Sequence, residues 1–246
     1  MIVAHRGASS TRPENTLASF EEALRLGARV VELDVRLSRD GVAVVMHDAS
    51  VDRTTDGSGL VHEHTASDLA ALNAGTTEAP EGVPTLAEVL DLATGRTAVV
   101  LEIKNLSMEP GYETHRESIV EATHAELERT AFDGPVLVVS FNPASIAASR
   151  AIDPAVPTGF LTTEHVAPAE ALEHAVRSGH EMILPGTASL IPAGEAFVEG
   201  AHAAGLRVGT WTVDEPDGVR MLLDRGVDAI ASNDPAMALA VLAERR

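Results

Sequence analysis

Three short stretches of this sequence concentrate its chemistry. Glu32-Leu33-Asp34 closes a β-branched run, and the two-residue alternation of an extended chain puts both carboxylates on the same side. Two acids so placed repel each other, so burying them together requires a neutralising cation or a retained proton. Leu101-Glu102-Ile103-Lys104 also ends an apolar run and sets an acid and a base on one face. Three convergent carboxylates make a hard-oxygen donor set suited to one divalent cation, Mg²⁺ or Ca²⁺. The plainer alternative is ordinary ion pairing of Glu102 with Lys104 or Arg6. His5-Arg6-Gly7 and His47-Asp48 each follow an apolar run as well. Two imidazoles flanking a cation suit phosphoryl transfer: one takes a proton from the nucleophile, the other protonates the leaving oxygen.

Those positions need elements to hold them. Strands are expected at Ile2–His5, Val30–Val35, Val42–Met46, Ala98–Ile103, Val136–Ser140, Thr158–Leu161, Met182–Leu184, Val208–Val213 and Asp228–Ser232. The link from Val35 to Val42 is too short for a crossover helix, and its Asp40-Gly41 is a hairpin turn signal. Val42–Met46 is therefore an antiparallel return arm, and a turn centred between Asp40 and Gly41 would set His47 opposite Asp34. Eight parallel strands are left. Ala/Leu-rich segments separate them, with Leu17, Phe20 and Leu24, and again Val219, Leu222 and Leu223, at helical spacing. Eight βα units in 246 residues fit an α/β TIM (β/α)₈ barrel better than an open sheet, with a β-hairpin after the second strand. In such a barrel the reactive groups sit at the carboxyl ends of strands, where these residues fall. The chain reads as a single domain, 1–246, with an irregular excursion at 48–84 on one barrel face.

Composition narrows the function classes. With 18 basic against 37 acidic side chains the net charge is −19, which opposes a broad nucleic-acid footprint. Any phosphate chemistry must then rest on a few local cations. Cysteine is absent, removing thiol nucleophiles, thiolate metal sites and disulfides. The apolar start is too short for a signal peptide and no run is long enough to cross a membrane, so no stable membrane insertion and a cytoplasmic location are expected. No phosphate-binding Gly-x-x-x-x-Gly-Lys loop, Gly-x-Ser-x-Gly elbow or His-Glu-x-x-His pair occurs. The eight remaining histidines read as surface residues, with His62 and His64 near enough in the excursion to approach a site.

The ordered set His5-Arg6-Gly7, Pro13-Glu14-Asn15-Thr16, Glu32-Leu33-Asp34-Val35, Val45-Met46-His47-Asp48, Arg53-Thr54-Thr55, Glu102-Ile103-Lys104, Ser140-Phe141 and Trp211-Thr212-Val213 resembles the glycerophosphodiester phosphodiesterase family over nearly the whole chain. The resemblance implies a TIM-barrel, metal-dependent hydrolase acting on small glycerophosphodiesters and releasing glycerol phosphate and an alcohol. It implies that His5 and His47 form the acid–base pair, that Glu32, Asp34 and Glu102 bind the divalent metal, and that Arg6 and Lys104 bind phosphate. Trp211 becomes a wall of the substrate pocket, and the excursion becomes a short insertion over the barrel mouth. Two readings compete with it: a lysophospholipase D-like phosphodiesterase, and a non-catalytic phosphodiester-binding barrel. Departures from the family pattern at Ser232-Asn233 and at Asp214 bear on substrate preference, away from the metal and acid–base positions. Asn15 is expected to cap the helix beginning at Thr16, with Glu14 bonded to Arg6.

Overall fold

A computed structural model describes residues 1–245. Its strands are β1 (Ile2–His5), β2 (Val30–Leu37), β3 (Ala43–Val45), β4 (Ala98–Ile103), β5 (Val136–Ser140), β6 (Thr158–Thr162), β7 (Met182–Pro185), β8 (Arg207–Thr210) and β9 (Ala229–Ser232). Eight of them run parallel in the order β1-β9-β8-β7-β6-β5-β4-β2, and β1 pairs with β2 to close the barrel. The expected (β/α)₈ barrel is what forms. β3 lies outside the ring, antiparallel to the upper end of β2.

Apolar side chains are divided by the strands into two layers. Leu33, Leu101 and Val138 on one side of the barrel, and Ile183, Val208 and Ile230 on the other, pack outward against helical residues such as Phe20, Leu90, Leu190 and Leu222. Val3, Val30, Val100, Val139, Leu161 and Met182 fill the inside. Burying each large aliphatic or aromatic side chain contributes ~1.5–3 kcal/mol, so the helical ring holds the strand ends in place. The helix Leu17–Arg25 shows the local logic: Thr16 accepts from Ser19 N at its start, and Phe20 and Ala23 bury one face. Thr16, not Asn15, is the cap. Asn15 instead takes a left-handed backbone, φ 57°, which asparagine tolerates, and its side chain turns into the barrel mouth.

The hairpin forms one residue out of the expected register. Val35 faces Val45 and Leu37 faces Ala43, so Met46 rather than His47 lies across from Asp34. The reason is loop length. Ser38 and Val42 close a three-residue loop, Arg39-Asp40-Gly41, whose Gly41 takes φ 81°, where a two-residue turn would have centred the hairpin half a step later. β8 also stops at Thr210, leaving Trp211 at the start of a loop, bridged to Gly186. The excursion 48–84 has its own small core of Val51, Val61, Leu69 and Val83 under Val44 and Met46. Its residues Ala49, Val61 and His62 line a pocket with Lys104, and Thr54, Ala74 and Val83 line another with Glu14 and His47, so the excursion lies beside the rim. His180, expected at the surface, is buried, with Nδ1 2.9 Å from Thr158 Oγ1. No helix is long and apolar enough to cross a membrane among the described residues.

Candidate active site

Barrel closure sets the main geometry. His5 is level with Glu32 across the β1–β2 ladder, and Asp34 is level with Glu102 across β2–β4. Glu32, Asp34 and Glu102 are all buried and offer oxygens within 4.8 Å of one another. Lys104 places Nζ 3.0 Å from Asp34 Oδ1 and also contacts Glu102. The Arg6 guanidinium lies 3.1 Å from Asp34 Oδ2 through Nε and donates from Nη1 to Glu14 at 2.9 Å. Asn15 Nδ2 donates to Asp34 Oδ2 at 2.8 Å. The sharp turn after β1 brings Arg6 here: its backbone N–H donates to Glu32 Oε2 at 3.0 Å, and a Cβ on Gly7, at φ 80°, would collide with Ser19.

The acids respond unequally. Burial raises the Glu32 pKa well above the carboxylate range, and repulsion from Asp34 and Glu102 pushes the same way. Burial raises Glu102 too, against the pull of Lys104. At Asp34 burial acts in the same direction, but Lys104 and Arg6 overcome it and hold the group low. Lys104 is raised: burial alone would lower it, and Glu102 and Asp34 reverse that. Two cations therefore serve three acids. Glu32 Oε1 is buried without a hydrogen-bond partner, an oxygen with a lone pair unclaimed by protein. A buried all-oxygen triad with one orphan oxygen and acids lacking counter-charge fits a hard divalent cation.

Each histidine is anchored through Nδ1. His5 Nδ1 lies 2.7 Å from Asn233 Oδ1, and its Nε2 lies 3.9 Å from Glu32 Oε2. Burial, helped by Arg6, pushes its pKa down to about 4. His47 Nδ1 is 2.6 Å from Asp48 Oδ1, while Arg36 grips its carbonyl oxygen from Nε at 2.8 Å and Nη2 at 2.6 Å. Its pKa is lowered by burial and by Lys104. Asp34, Arg6 and Lys104 all act on this ring, so the slipped hairpin still delivers His47 to the cluster. His5, Arg6, Glu32, His47, Glu102 and Lys104 share one cavity of about 520 Å³ with Leu106, Phe141 and Trp211. Trp211 donates from Nε1 to Leu184 O at 3.0 Å and meets the Phe141 ring edge-to-face at 5.4 Å, a rigid apolar wall opposite the charges.

The profile of the Glycerophosphoryl diester phosphodiesterase family matches residues 5–237, spanning every one of these positions. The chain belongs to the glycerophosphoryl diester phosphodiesterase family. A glycerophosphodiester phosphodiesterase of Caldanaerobacter subterraneus subsp. tengcongensis is 35% identical over 241 residues, covering 96% of this chain and 94% of that one. One from Bacillus subtilis is 33% identical over 254 residues, covering 96% and 84%. In three dimensions the chain superposes on an Oleispira antarctica phosphodiesterase, solved in complex with the product sn-glycerol-3-phosphate, with TM-score 0.90 at 28% identity, over 99% and 96% of the two chains.

Within this phosphodiesterase-family chain the eight site residues expected from sequence do converge, and others join them. Glu14 bonds to Arg6, as expected, and also receives Arg53 at 2.8 and 2.7 Å; Arg53 in turn holds Asp48 at 2.6 Å. A chain of charges thus links Arg6 to the partner of His47. Arg36 bridges His47 to Glu109 at 2.6 Å. Arg36 shows no signal in sequence beyond a charge within a strand, whereas Arg53 is marked by its family motif. Asn233 corrects one expectation outright: the departure there touches His5, one of the two residues expected to form the acid–base pair.

Proposed function

We propose that this chain hydrolyses glycerophosphodiesters to glycerol phosphate and an alcohol, with His5 and His47 as the acid–base pair. The observation that carries this reading is the meeting, at one barrel rim, of two Nδ1-anchored imidazoles with three buried carboxylates and two cationic side chains. Arg6 and Lys104 face the cluster from opposite sides of Asp34 and offer positive charge to phosphoryl oxygens. Trp211 and Phe141 offer an apolar face to the carbon skeleton of the substrate. The Oleispira relative, solved in complex with the product sn-glycerol-3-phosphate, supports a glycerol phosphate as the product of this chain.

Glu32, Asp34 and Glu102 would hold one divalent cation, Mg²⁺ or Ca²⁺, which when bound supplies charge neutralisation for the phosphoryl group and for the acids themselves. The protein's own groups then move the protons. One imidazole Nε2 takes the proton of the attacking oxygen as the new P–O bond forms; attack by water gives glycerol phosphate directly, whereas attack by the glycerol's adjacent hydroxyl gives a cyclic phosphate that water then opens to glycerol phosphate. The other imidazole gives its proton to the departing oxygen as the old P–O bond breaks.

A product-resolved assay over a panel of glycerophosphodiesters tests this. Glycerol phosphate is expected, lost on chelation and regained with Mg²⁺ or Ca²⁺. Turnover confined to acylated analogues would favour lysophospholipase D chemistry. Ligand-induced stabilisation without product would leave a binding barrel.

A further inference from the structure

Asn233 comes from the loop after β9, at the far end of the sequence from His5, yet its side chain has only one orientation that satisfies its neighbours. Asp214, after β8, accepts from Asn233 N at 2.8 Å and from Ser232 Oγ at 3.1 Å through Oδ1, and from Asn233 Nδ2 at 2.7 Å through Oδ2. A carboxylate only accepts, so the amide NH₂ must face Asp214 and the amide oxygen must face His5. That oxygen is 2.7 Å from His5 Nδ1 and 3.0 Å from Ser9 Oγ, which itself donates to His5 O at 2.8 Å. An amide oxygen also only accepts, so Nδ1 of His5 must carry the proton. In the neutral ring, with its proton on Nδ1, Nε2 is left as a bare lone pair on the side of Glu32, 3.9 Å away.

We propose that Asn233, oriented by Asp214, is a positioning residue that locks His5 in the Nδ1–H tautomer and presents its Nε2 lone pair to the phosphodiester. The proposal rests on the acid–base reading of His5 given above. The lock runs through hydrogen-bond polarity: Asp214 orients the amide and the amide orients the imidazole. His47 has no such intermediary, because its Nδ1 meets the Asp48 carboxylate directly at 2.6 Å.

The polarity makes a distinctive pattern of variants. Asp214→Asn sets a second NH₂ against that of Asn233. The Asn233 amide then turns over, presents NH₂ to His5 Nδ1 and drives the ring to the Nε2–H tautomer. The double variant Asn233→Asp with Asp214→Asn restores polarity. Its amide at position 214 still accepts from the backbone N–H of position 233 and from Ser232 through oxygen, and donates to the new carboxylate at 233. That carboxylate again offers an acceptor to His5 Nδ1.

The test is ¹⁵N NMR of histidine-labelled protein near neutral pH, with the His5 ring assigned by loss of its signals in His5→Gln, alongside kcat and KM. The wild type is expected to show Nδ1–H, Asp214→Asn to show Nε2–H with kcat down about 10²–10⁴-fold and KM little changed, and the double variant to regain both tautomer and most of kcat. A wild-type His5 in the Nε2–H form would overturn the proposal even if Asp214→Asn fails to fold. So would an unchanged tautomer in Asp214→Asn. A locked tautomer in a protein that turns over no glycerophosphodiester would instead remove the acid–base reading while leaving the lock intact, since the spectrum needs no substrate.

Discussion

The two histidines proposed as the acid–base pair stand on opposite supports. His5 sits on β1, whose level against β2 is set by backbone ladder bonds and barrel closure. His47 hangs from the end of the hairpin arm outside the ring, placed by side chains: Arg36 on its carbonyl, Asp48 on its ring, and Arg53 tying Asp48 to Glu14. One partner is a neutral amide in a partly closed crevice; the other is a carboxylate in a charge chain open to solvent at Arg53, whose side chain is 49% exposed. A backbone-registered group resists salt and surface substitution, whereas one held by half-exposed ion pairs is screened and adjustable. Position in the barrel wall therefore decides which half of the site is rigid.

The largest expected effect ignores the difference. His5→Ala and His47→Ala should each lower kcat about 10²–10⁴-fold with the fold retained by circular dichroism; near-normal turnover in either would remove that residue from the acid–base pair. The asymmetry shows at the next level. Arg36→Met removes both donors to the His47 carbonyl and frees Glu109, and should lower kcat about 10–100-fold while leaving the His5 ring signals in place. Disturbance of His5 by that substitution would mean the two halves are one unit.

Stability against pH separates the carboxylate cluster from both histidines. Burial and like charges raise the folded pKa of Glu32 above its unfolded value of about 4.3. Its contribution to stability is then complete below about pH 4.3 and is lost as pH rises through the folded value. A divalent cation needs the deprotonated triad, so calorimetry should find a Tm gain from Mg²⁺ or Ca²⁺ that grows as pH rises through the raised folded value of Glu32. A pH-independent gain would place the cation elsewhere. The smallest effect belongs to the open end of the charge chain: Arg53→Ala should cost about fivefold or less in kcat, with a narrowed difference at high salt. A loss as large as that of Arg36→Met would show that the flanking segment carries His47 rather than trimming it.

Much of the site was legible one strand at a time. Glu32 and Asp34 share a face because extended chains alternate, and Glu102, Lys104 and His5 fall at strand ends where a (β/α)₈ barrel keeps its reactive groups. Legibility stopped where one residue of turn length or one rival cap decided the outcome. The Asp40-Gly41 signal marked a hairpin, but a three-residue loop shifted its register; Thr16 took the cap and released Asn15 to Asp34. Arg36 was invisible because a buried arginine has meaning only through what it grips.

By itself the sequence determined the strands, the hairpin, and which side each acid occupies, because alternation, turn chemistry and capping act over a few neighbouring residues. The tertiary structure decided that Asn233 holds His5 across 228 residues of chain, and that three acids share a depth where two cations leave them short of charge. Only closing the ring makes the first and last strands neighbours, and only burial turns that shortfall into a site that could hold a metal ion.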